Sequence, residues 1–244
     1  MKYLLEIESI EKKYLTDSQK EVVAIKDLSL SIPKNKLSIL FGETGCGKTS
    51  LLNIIAGLDK DYSGEIISNS GNLNIAFVFQ HYTLFPWRNV INNIAFSLEI
   101  AGVKKSKRLK EAAELANKVG LQGFEKSYPN ELSGGMRQRV AIAQSLAKKP
   151  DLLLLDEPFG ALDNKTRTSL QKMLLDIIQT EKITVIMVTH NIEEAILLGD
   201  NISILSQRPS KVIANYAIEM KHPRNKKRIE FVQISKKISQ ALNL

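Results

Sequence analysis

A chain of 244 residues, 43% hydrophobic and 25% charged, has the length and composition of a globular protein with a sizeable core. Its apolar runs are short, and none approaches the ~20 residues that a helix needs to cross a bilayer. The N-terminus turns acidic at once, so we expect no signal peptide, and a single cysteine excludes an internal disulfide and fits a reducing cytosol.

The net charge of +8 includes two basic clusters, Lys104–Lys110 and Arg224–Arg228. A solvated helix face and a solvated tail are the ordinary explanation. Attraction to anionic lipids is an alternative, at roughly 1 kcal/mol per basic residue near the membrane surface. Nucleic-acid binding is a weaker alternative because no base-reading motif or aromatic-interleaved basic stripe accompanies the charge. We therefore expect no nucleic-acid partner.

Hydrophobic periodicity predicts strands that alternate with helices. Leu28–Ile32 alternates strictly between apolar and polar residues, which predicts a half-buried strand that ends at Pro33. In chain order, strands are predicted at residues 4–10, 28–32, 37–41, 75–79, 152–155, 184–189 and 202–205. Helices are predicted at residues 49–57, 111–119, 136–147 and 166–179, with a charged helical region over 89–131. This alternation indicates a mostly parallel sheet.

A glycine-rich loop, Gly42–Thr49, stands between a predicted strand and a predicted helix, which is the context of a phosphate-binding P-loop. The glycines let backbone N–H groups point inward around phosphate, and the helix N-terminus adds positive potential. We expect Lys48 to reach the β and γ phosphates and the Thr49 hydroxyl to ligate Mg²⁺. A glycine-rich loop without a ligand is the alternative.

The only cysteine, Cys46, lies inside this loop. Positive potential from Lys48 and the helix end favours a thiolate, so one expectation is an accessible and reactive thiol. The alternative is a side chain that points into the sheet and is inert.

Two carboxylates, Asp156 and Glu157, follow a run of four leucines. A buried strand would deliver them to its C-terminal edge, where ligands bind in open α/β sheets. We expect Asp156 to hold Mg²⁺ and Glu157 to polarise the attacking water. The alternative is a solvated acidic strand end.

A second candidate anion site begins at Ser133, where Ser-Gly-Gly opens a predicted helix. Because the chain already has one phosphate loop, we expect this second site to contact the nucleotide that another subunit holds. The alternative is an ordinary N-cap followed by a glycine turn.

In this order and spacing, the motifs resemble those of the nucleotide-binding subunits of ABC transporters, from Tyr14 to about Pro223. The resemblance implies that Gly42–Thr49 is the Walker A loop, that Leu132–Gln138 contains the signature and that Leu152–Glu157 is Walker B. It implies an α/β fold, a P-loop ABC ATPase core with an antiparallel β element and a helical lobe at about 82–147, forming a single cassette over residues 1–244.

The resemblance also implies roles for individual residues. Glu157, His190 and Gln80 would be catalytic, and Mg²⁺ would be held by Thr49, Gln80 and Asp156. The ATP-binding residues would be Tyr14, Gly42, Glu43, Thr44, Gly45, Cys46, Gly47, Lys48, Thr49, Ser50, Ser133 and Gly135. Tyr14 would stack on adenine, although a lone tyrosine near a strand end is usually core or surface. A lone histidine after a strand is likewise more often structural than catalytic.

A finer resemblance rests on Leu84–Trp87, Gly135–Arg139 and Leu205–Pro209. These segments are similar to those of the importer branch for nitrate, aliphatic sulfonates, taurine and thiamine-precursor pyrimidines. The apolar turn Phe85–Trp87 would be a partly exposed socket for the membrane subunit, with ordinary packing as the alternative. Gln144 and Ser210 depart from the usual arginine and glycine, which weakens the branch assignment and not the ATPase assignment.

The resemblance implies an ATPase that uses ATP and Mg²⁺ to energise import of a small solute, anionic or thiamine-precursor-like. Its partners would be a second copy of itself, transmembrane permease subunits and, indirectly, a solute-binding protein. The subunit would be cytoplasmic, peripheral on the inner face of the membrane. The alternatives are an exporter ATPase and a soluble ABC ATPase acting on DNA, ribosomes or iron–sulfur assembly. The chain has neither the long coiled-coil insertion nor the tandem cassettes of the soluble types.

Overall fold

A computed structural model describes residues 2–15 and 19–242 of the chain. It divides into two compact units, which we call the first unit (Met1–Leu73 with Lys182–Leu244) and the second unit (Asn74–Glu181). The strands are β1 (Tyr3–Leu15), β2 (Glu21–Pro33), β3 (Leu37–Phe41), β4 (Ser63–Ser68), β5 (Ile75–Val78), β6 (Leu152–Asp156), β7 (Thr184–Thr189), β8 (Asn201–Leu205) and β9 (Val212–Ala217). The helices are α1 (Lys48–Ile55), α2 (Val90–Ile94), α3 (Phe96–Ile100), α4 (Lys105–Lys118), α5 (Gly134–Leu146), α6 (Asn164–Glu181), α7 (Ile192–Leu198) and α8 (Ile229–Ala241).

The first unit contains an antiparallel sheet in the order β2-β1-β4. On β2, Leu28, Leu30 and Ile32 are buried while the serines between them are exposed, which is the period of two that the sequence predicts. On β4, Gly64 lies against β1, where an added Cβ would sit 2.5 Å from the carbonyl oxygens of Glu8 and Ser9. The approach of the two strands therefore requires a glycine.

A second set of strands in the first unit runs in the order β7-β3-β8-β9. β3 is parallel to both β7 and β8, whereas β9 is antiparallel to β8. All residues of β3 and β7 are buried, as expected for parallel strands covered on both faces. β3 leads directly into the Gly42–Thr49 loop and α1, so the core of this unit positions the loop.

The second unit pairs β5 with β6 in parallel and adds helices α2 to α6. Every residue of β6 is buried, and α5 contributes Val140, Ile142 and Ala143 to the core. Among the residues described, no helix is long and apolar enough to cross a membrane.

The predicted fold class is confirmed: strands and helices form an α/β core, and an antiparallel β element accompanies it. The prediction of one cassette over 1–244 with a helical lobe at about 82–147 stays a prediction. The first basic cluster forms the start of α4, where Arg108 faces Glu99 at 3.6 Å. The prediction of a solvated tail is wrong for Arg224, because its guanidinium donates to the carbonyls of Ile196 and Gly199 at 2.7 and 2.6 Å. Burial lowers the pKa of Arg224.

Candidate functional site

The phosphate loop in the first unit has the backbone that its glycines predict. Gly45 and Gly47 lie in the left-handed region, with φ of 83° and 108°. α1 begins at Lys48 with Gly47 as its N-cap residue, so no side chain covers this helix end. The loop therefore offers backbone N–H groups and a helix N-terminus to an anion.

Lys48 is folded back onto the loop that precedes it. Its side chain is buried, and Nζ donates to the carbonyl oxygens of Gly42 and Glu43 at 2.8 and 2.7 Å. These two bonds hold the ammonium group at the loop. A phosphate would have to replace at least part of this internal pairing to be bound by Lys48.

The structure overturns the expectation of an accessible, reactive Cys46. The side chain is 2% exposed, and its Sγ occupies the space where a Cβ on Gly42 would lie, 2.8 Å away. Burial raises the pKa of the Cys46 thiol, and the opposing charge of Lys48, with Nζ 4.0 Å from Sγ, does not reverse this effect. The inert, inward-pointing side chain is the correct alternative.

Tyr14 lies at the end of β1, beside the start of α1. Its hydroxyl donates to Ser50 Oγ at 3.0 Å, and its ring is 40% exposed. Lys12 Nζ lies 4.8 Å from the ring centroid and is paired with Asp59 at 3.0 Å. Burial lowers the pKa of Lys12, but the bonds and charges of Asp59 and Asp61 outweigh burial and raise it. A planar base could thus stack on the ring face that Lys12 does not cover.

A loop from a distant part of the chain contacts the phosphate loop; we call it the edge loop, Ser206–Ser210. Gln207 Nε2 donates to Glu43 Oε2 at 2.6 Å, and Arg208 Nε donates to the Gly45 carbonyl at 2.5 Å. The sequence marks Arg208 and Pro209 only as features of a branch. No local pattern predicts contacts between residues 163 and 164 positions apart.

His190 follows β7 and is exposed, and its two chain neighbours belong to a hydrogen-bond network. The Thr189 hydroxyl donates to Glu194 Oε2 at 2.5 Å, and the Asn191 N–H donates to Thr189 Oγ1 at 3.1 Å. The Asn191 side chain in turn caps α7 by accepting from the Glu194 N–H at 3.0 Å. The buried Glu194 therefore braces the backbone around His190, a role that sequence reasoning missed.

In the second unit, Asp156 and Glu157 lie at the C-terminal end of β6 as predicted. Asp156 is 4% exposed, and Glu157 has a left-handed backbone with φ of 44°. That conformation is uncommon for a residue with a long side chain and is concentrated at functional sites. Gln80, the other predicted catalytic residue of this unit, lies just beyond β5 and is exposed.

The signature segment begins α5 in the second unit. Ser133 is its N-cap residue, and the side-chain oxygen accepts from the Met136 N–H at 3.3 Å. Ser133 therefore does cap the helix, as the alternative interpretation of this segment predicted. Its hydroxyl hydrogen can still be donated to a phosphate. A Cβ on Gly135 would lie 2.2 Å from Thr166 Cγ2 of α6, so helix packing independently requires this glycine.

The Phe85–Trp87 turn is held by the fully buried Asn93. Its Oδ1 accepts from the Phe85 N–H at 2.8 Å, and its Nδ2 donates to the Arg88 carbonyl at 2.7 Å. The predicted partial exposure of the turn is confirmed, because Trp87 is 71% exposed. In the same unit, Phe79 and Phe96 line an open groove of about 370 Å³ formed by β5, α3 and α5.

The predicted site residues are distributed over both units. The first unit holds Tyr14, Gly42–Ser50 and His190, and it brings Tyr14 into contact with Ser50. The second unit holds Gln80, Ser133, Gly135, Asp156 and Glu157.

Comparison with known proteins adds an independent finding. A family profile described as ABC transporter matches residues 25–160. The chain is 42% identical to the aliphatic sulfonates import ATP-binding protein SsuB of Bacillus subtilis, over 93% of this chain and 90% of that protein. It is 46% identical to the taurine import ATP-binding protein TauB of Escherichia coli, over 78% of this chain and 76% of that protein.

A solved structure is similar as well. It is a dimeric, post-hydrolysis state of an ATP-binding cassette bound to ADP and Pi, with a TM-score of 0.78 and 29% sequence identity. The similarity covers 89% of this chain and 100% of that chain.

Proposed function

Since the chain belongs to the ABC transporter family and is an ATP-binding ATPase cassette, we propose that it energises the import of a small anionic solute. The observation that supports import most is the similarity to SsuB and TauB, two import subunits, over most of the chain. The solutes in their names, aliphatic sulfonates and taurine, share a sulfonate group. We therefore propose a sulfonate as the solute class ahead of a thiamine-precursor pyrimidine.

The chemistry assigned to the first unit is phosphate binding. The N–H groups of Gly42–Thr49 and the ammonium of Lys48 hold the triphosphate, and Tyr14 stacks on adenine. His190, braced by Thr189 and Glu194, contacts the γ phosphate. The contact between Tyr14 and Ser50, directly after the loop, supports a base and a triphosphate bound side by side in this unit.

The chemistry assigned to the second unit is water activation and metal binding. Glu157 accepts a proton from the attacking water as the general base. Mg²⁺, when bound, would neutralise phosphate charge, and Asp156 and Gln80 of this unit would hold it. These residues fit the ion because carboxylate and amide oxygens are hard ligands of the kind that Mg²⁺ prefers.

The proposed partner for hydrolysis is a second copy of the chain. Ser133 caps α5 and Gly135 lies in its first turn, and the exposed Ser133 hydroxyl can donate to a phosphate that another copy holds. The dimeric state of the solved cassette, bound to ADP and Pi, supports this arrangement. Each ATP would then be enclosed by the Walker A loop of one chain and the signature of the other.

The proposed membrane partner is a permease, which would place the subunit on the inner face of the membrane. The groove of the second unit and the exposed Trp87 offer apolar surface for such a partner. Phe85 packs on Phe96 with ring centroids 4.5 Å apart, which ties the turn to α3. A solute-binding protein would deliver the solute to the permease from the other side.

Transport in a reconstituted system tests the proposal. The chain is co-expressed with its permease and placed in proteoliposomes with ATP on its own side. The solute-binding protein and radiolabelled taurine or ethanesulfonate are supplied on the opposite side. We expect ATP-dependent accumulation that the Glu157→Gln variant abolishes. Efflux of preloaded sulfonate without uptake would make the subunit part of an exporter, and hydrolysis without any movement of sulfonate would reject the sulfonate class.

A further inference from the structure

The edge loop holds the phosphate loop from the outside, and the assigned chemistry gives this contact no role. Arg208 Nε donates to the Gly45 carbonyl at 2.5 Å, and Gln207 Nε2 donates to Glu43 Oε2 at 2.6 Å. Arg208 thus makes a charge-assisted hydrogen bond to the main chain of the phosphate loop, which is stronger than a bond between neutral groups. All of these residues belong to the first unit.

The edge loop is itself braced, so its side chains are presented from a fixed backbone. The Ser210 N–H donates to the Ala24 carbonyl at 2.9 Å, and the Lys26 N–H donates to the Ser210 carbonyl at 3.1 Å. Across the loop, Ser206 Oγ accepts from the Lys211 N–H at 3.0 Å, and its hydroxyl can donate to the Gln207 carbonyl at 2.8 Å or the Pro209 carbonyl at 3.1 Å. Hydrogen bonds at both ends therefore fix the backbone of the edge loop, which carries Arg208.

The bond to Gly45 controls the direction of the next N–H group. In a planar trans peptide the C=O of Gly45 and the N–H of Cys46 point in opposite directions. With the oxygen held on the outside by Arg208, the Cys46 N–H is directed toward the inside of the loop. There it donates to the Glu43 carbonyl at 3.3 Å, a long hydrogen bond that a phosphate oxygen can readily replace.

Without Arg208 this peptide keeps the long hydrogen bond from the Cys46 N–H to the Glu43 carbonyl. Gly45 has φ of 83°, and the nearest atom to an added Cβ would be Arg208 Nη2, 3.8 Å away. A glycine without close neighbours changes its backbone angles at low cost, so the peptide between Gly45 and Cys46 could rotate. A rotated peptide would present a carbonyl oxygen to the phosphates and repel them.

We propose that Arg208 is a positioning residue for ATP binding, which holds the Gly45–Cys46 peptide with its N–H directed at the phosphates. Gln207 supports the same loop through Glu43. The inference rests on the proposed placement of the triphosphate at Gly42–Thr49. Because the peptide orientation affects binding of substrate and transition state alike, its loss raises KM and leaves kcat nearly unchanged.

Three substitutions separate the hydrogen bond from the charge. Arg208→Met removes both. Arg208→Gln removes the charge and places an N–H donor at the same distance along the side chain as Nε. Arg208→Lys keeps the charge and places a methylene there. Lys211→Met is the matched control, because it removes a positive charge three positions from Arg208. The two bonds that Lys211 makes to Ser206 come from its backbone.

Equilibrium binding of ATP and steady-state hydrolysis are measured on the full chain, with thermal melts to verify folding. We expect Arg208→Met and Arg208→Lys to raise the Kd and KM for ATP roughly tenfold with kcat nearly unchanged. Arg208→Gln should recover most of this loss, because its amide makes the same bond without the charge, and Lys211→Met should change neither value. Rescue by lysine instead of glutamine, or equal effects of Arg208→Met and Lys211→Met, would overturn the proposal in favour of a general charge effect.

Lys48→Ala, measured in parallel, distinguishes this inference from the proposed function. If Lys48→Ala abolishes ATP binding while Arg208→Met has no effect, the positioning role alone is rejected. If Lys48→Ala binds ATP with wild-type affinity, the placement of the triphosphate fails and the inference fails with it.

Discussion

Glu157 directly follows β6, whose residues are all buried, and its left-handed backbone sets it apart from Asp156. If it is the general base, Glu157→Gln should slow ATP hydrolysis by roughly 10²–10⁴-fold, because the amide cannot accept the proton of water. Binding should survive, since Lys48 and the backbone of the phosphate loop are unchanged. Single-turnover hydrolysis together with ATP binding measures both quantities.

Asp176→Asn is a suitable control for this prediction, since it also neutralises a carboxylate in the second unit. Asp176 is exposed, and the bond that it accepts from the Thr180 hydroxyl at 2.7 Å is made by its backbone carbonyl. If the Glu157→Gln variant hydrolyses ATP at the wild-type rate, Glu157 is not the general base.

Cys46 should be protected from alkylation by its position under the loop. Its thiol is buried and its pKa is raised, so both access and the thiolate fraction are low. We expect slow maleimide labelling of the folded chain, at the same rate with or without Mg-ATP, and fast labelling in urea. Mass spectrometry measures the labelled fraction, and rapid labelling of the folded chain that ATP suppresses would contradict the buried position.

At the scale of residues, the sequence predicts best where a motif carries its own local geometry. Lys48 and the glycines of the phosphate loop follow from the strand, loop and helix around them. Arg208 and Glu194 could not be assigned in this way. Arg208 acts on a loop that is remote in the chain, and Glu194 acts through the hydroxyl of Thr189.

The packing of α5 against α6 makes a prediction at the scale of elements. Gly135→Ala would place its Cβ 2.2 Å from Thr166 Cγ2, and the Thr166 hydroxyl and N–H are both bonded to Asp163, which lowers the pKa of that carboxyl. We expect Gly135→Ala to reduce the free energy of unfolding by about 1–3 kcal/mol through overpacking. Adding Thr166→Ser removes the methyl group, keeps the hydroxyl and should restore most of that loss.

Gly134→Ala is the matched control, because its Cβ would meet the Tyr82 hydroxyl only at 3.4 Å. Urea unfolding of all four chains gives the comparison. A Gly135→Ala chain as stable as the wild type, or one that Thr166→Ser fails to rescue, would show that the helices can separate at no cost.

Elements with a strong apolar pattern were predictable, and exposed or irregular ones were not. The predictions of β3, β6 and β7 are confirmed because all residues of these strands are buried and therefore apolar or flanked by apolar residues. β4 was missed because none of its residues is fully buried, and only its pairing with β1 makes it a strand. β9, half-exposed and paired only with β8, was missed for the same reason.

For the whole molecule, sharing of the ATP site between two copies predicts a dependence on concentration. Hydrolysis per chain should rise with protein concentration until dimers predominate, because a monomer lacks the signature that completes its site. Initial rates across a dilution series, with sedimentation to determine the oligomeric state, test this. A constant rate per chain in a sample shown to be monomeric would refute the shared site.

Mixed dimers test the same arrangement by complementation. Lys48→Ala chains retain an intact signature, and Gly135→Ala/Thr166→Ser chains retain an intact phosphate loop. Each is expected to be inactive alone, and their mixture should recover hydrolysis because each heterodimer has one intact composite site. If heterodimers form but hydrolysis is not recovered, each chain completes its own site.

Docking on the permease predicts a selective effect of the exposed aromatic turn. Trp87→Ala should leave ATP hydrolysis of the isolated chain within about twofold and reduce co-purification with the permease, because the lost surface is apolar and a candidate anchor. Phe124→Ala, which removes another exposed aromatic of the second unit, is the matched control. Equal yields of complex from both variants would exclude Trp87 from the interface.

The pairing of β3 determines when the nucleotide site can exist during synthesis. Leu37 pairs with Val185 of β7, and Ser38 pairs with Asn201 of β8. Both strands that pair with β3 are therefore synthesised much later than β3 itself. Until residues 201–205 have left the ribosome, the strand that carries the phosphate loop lacks one of its two neighbours, β8. ATP therefore cannot guide the early stages of folding. ATP can bind only to chains in which the strands of the first unit have already paired. A nascent chain that stops before Thr184 cannot bind ATP through this sheet.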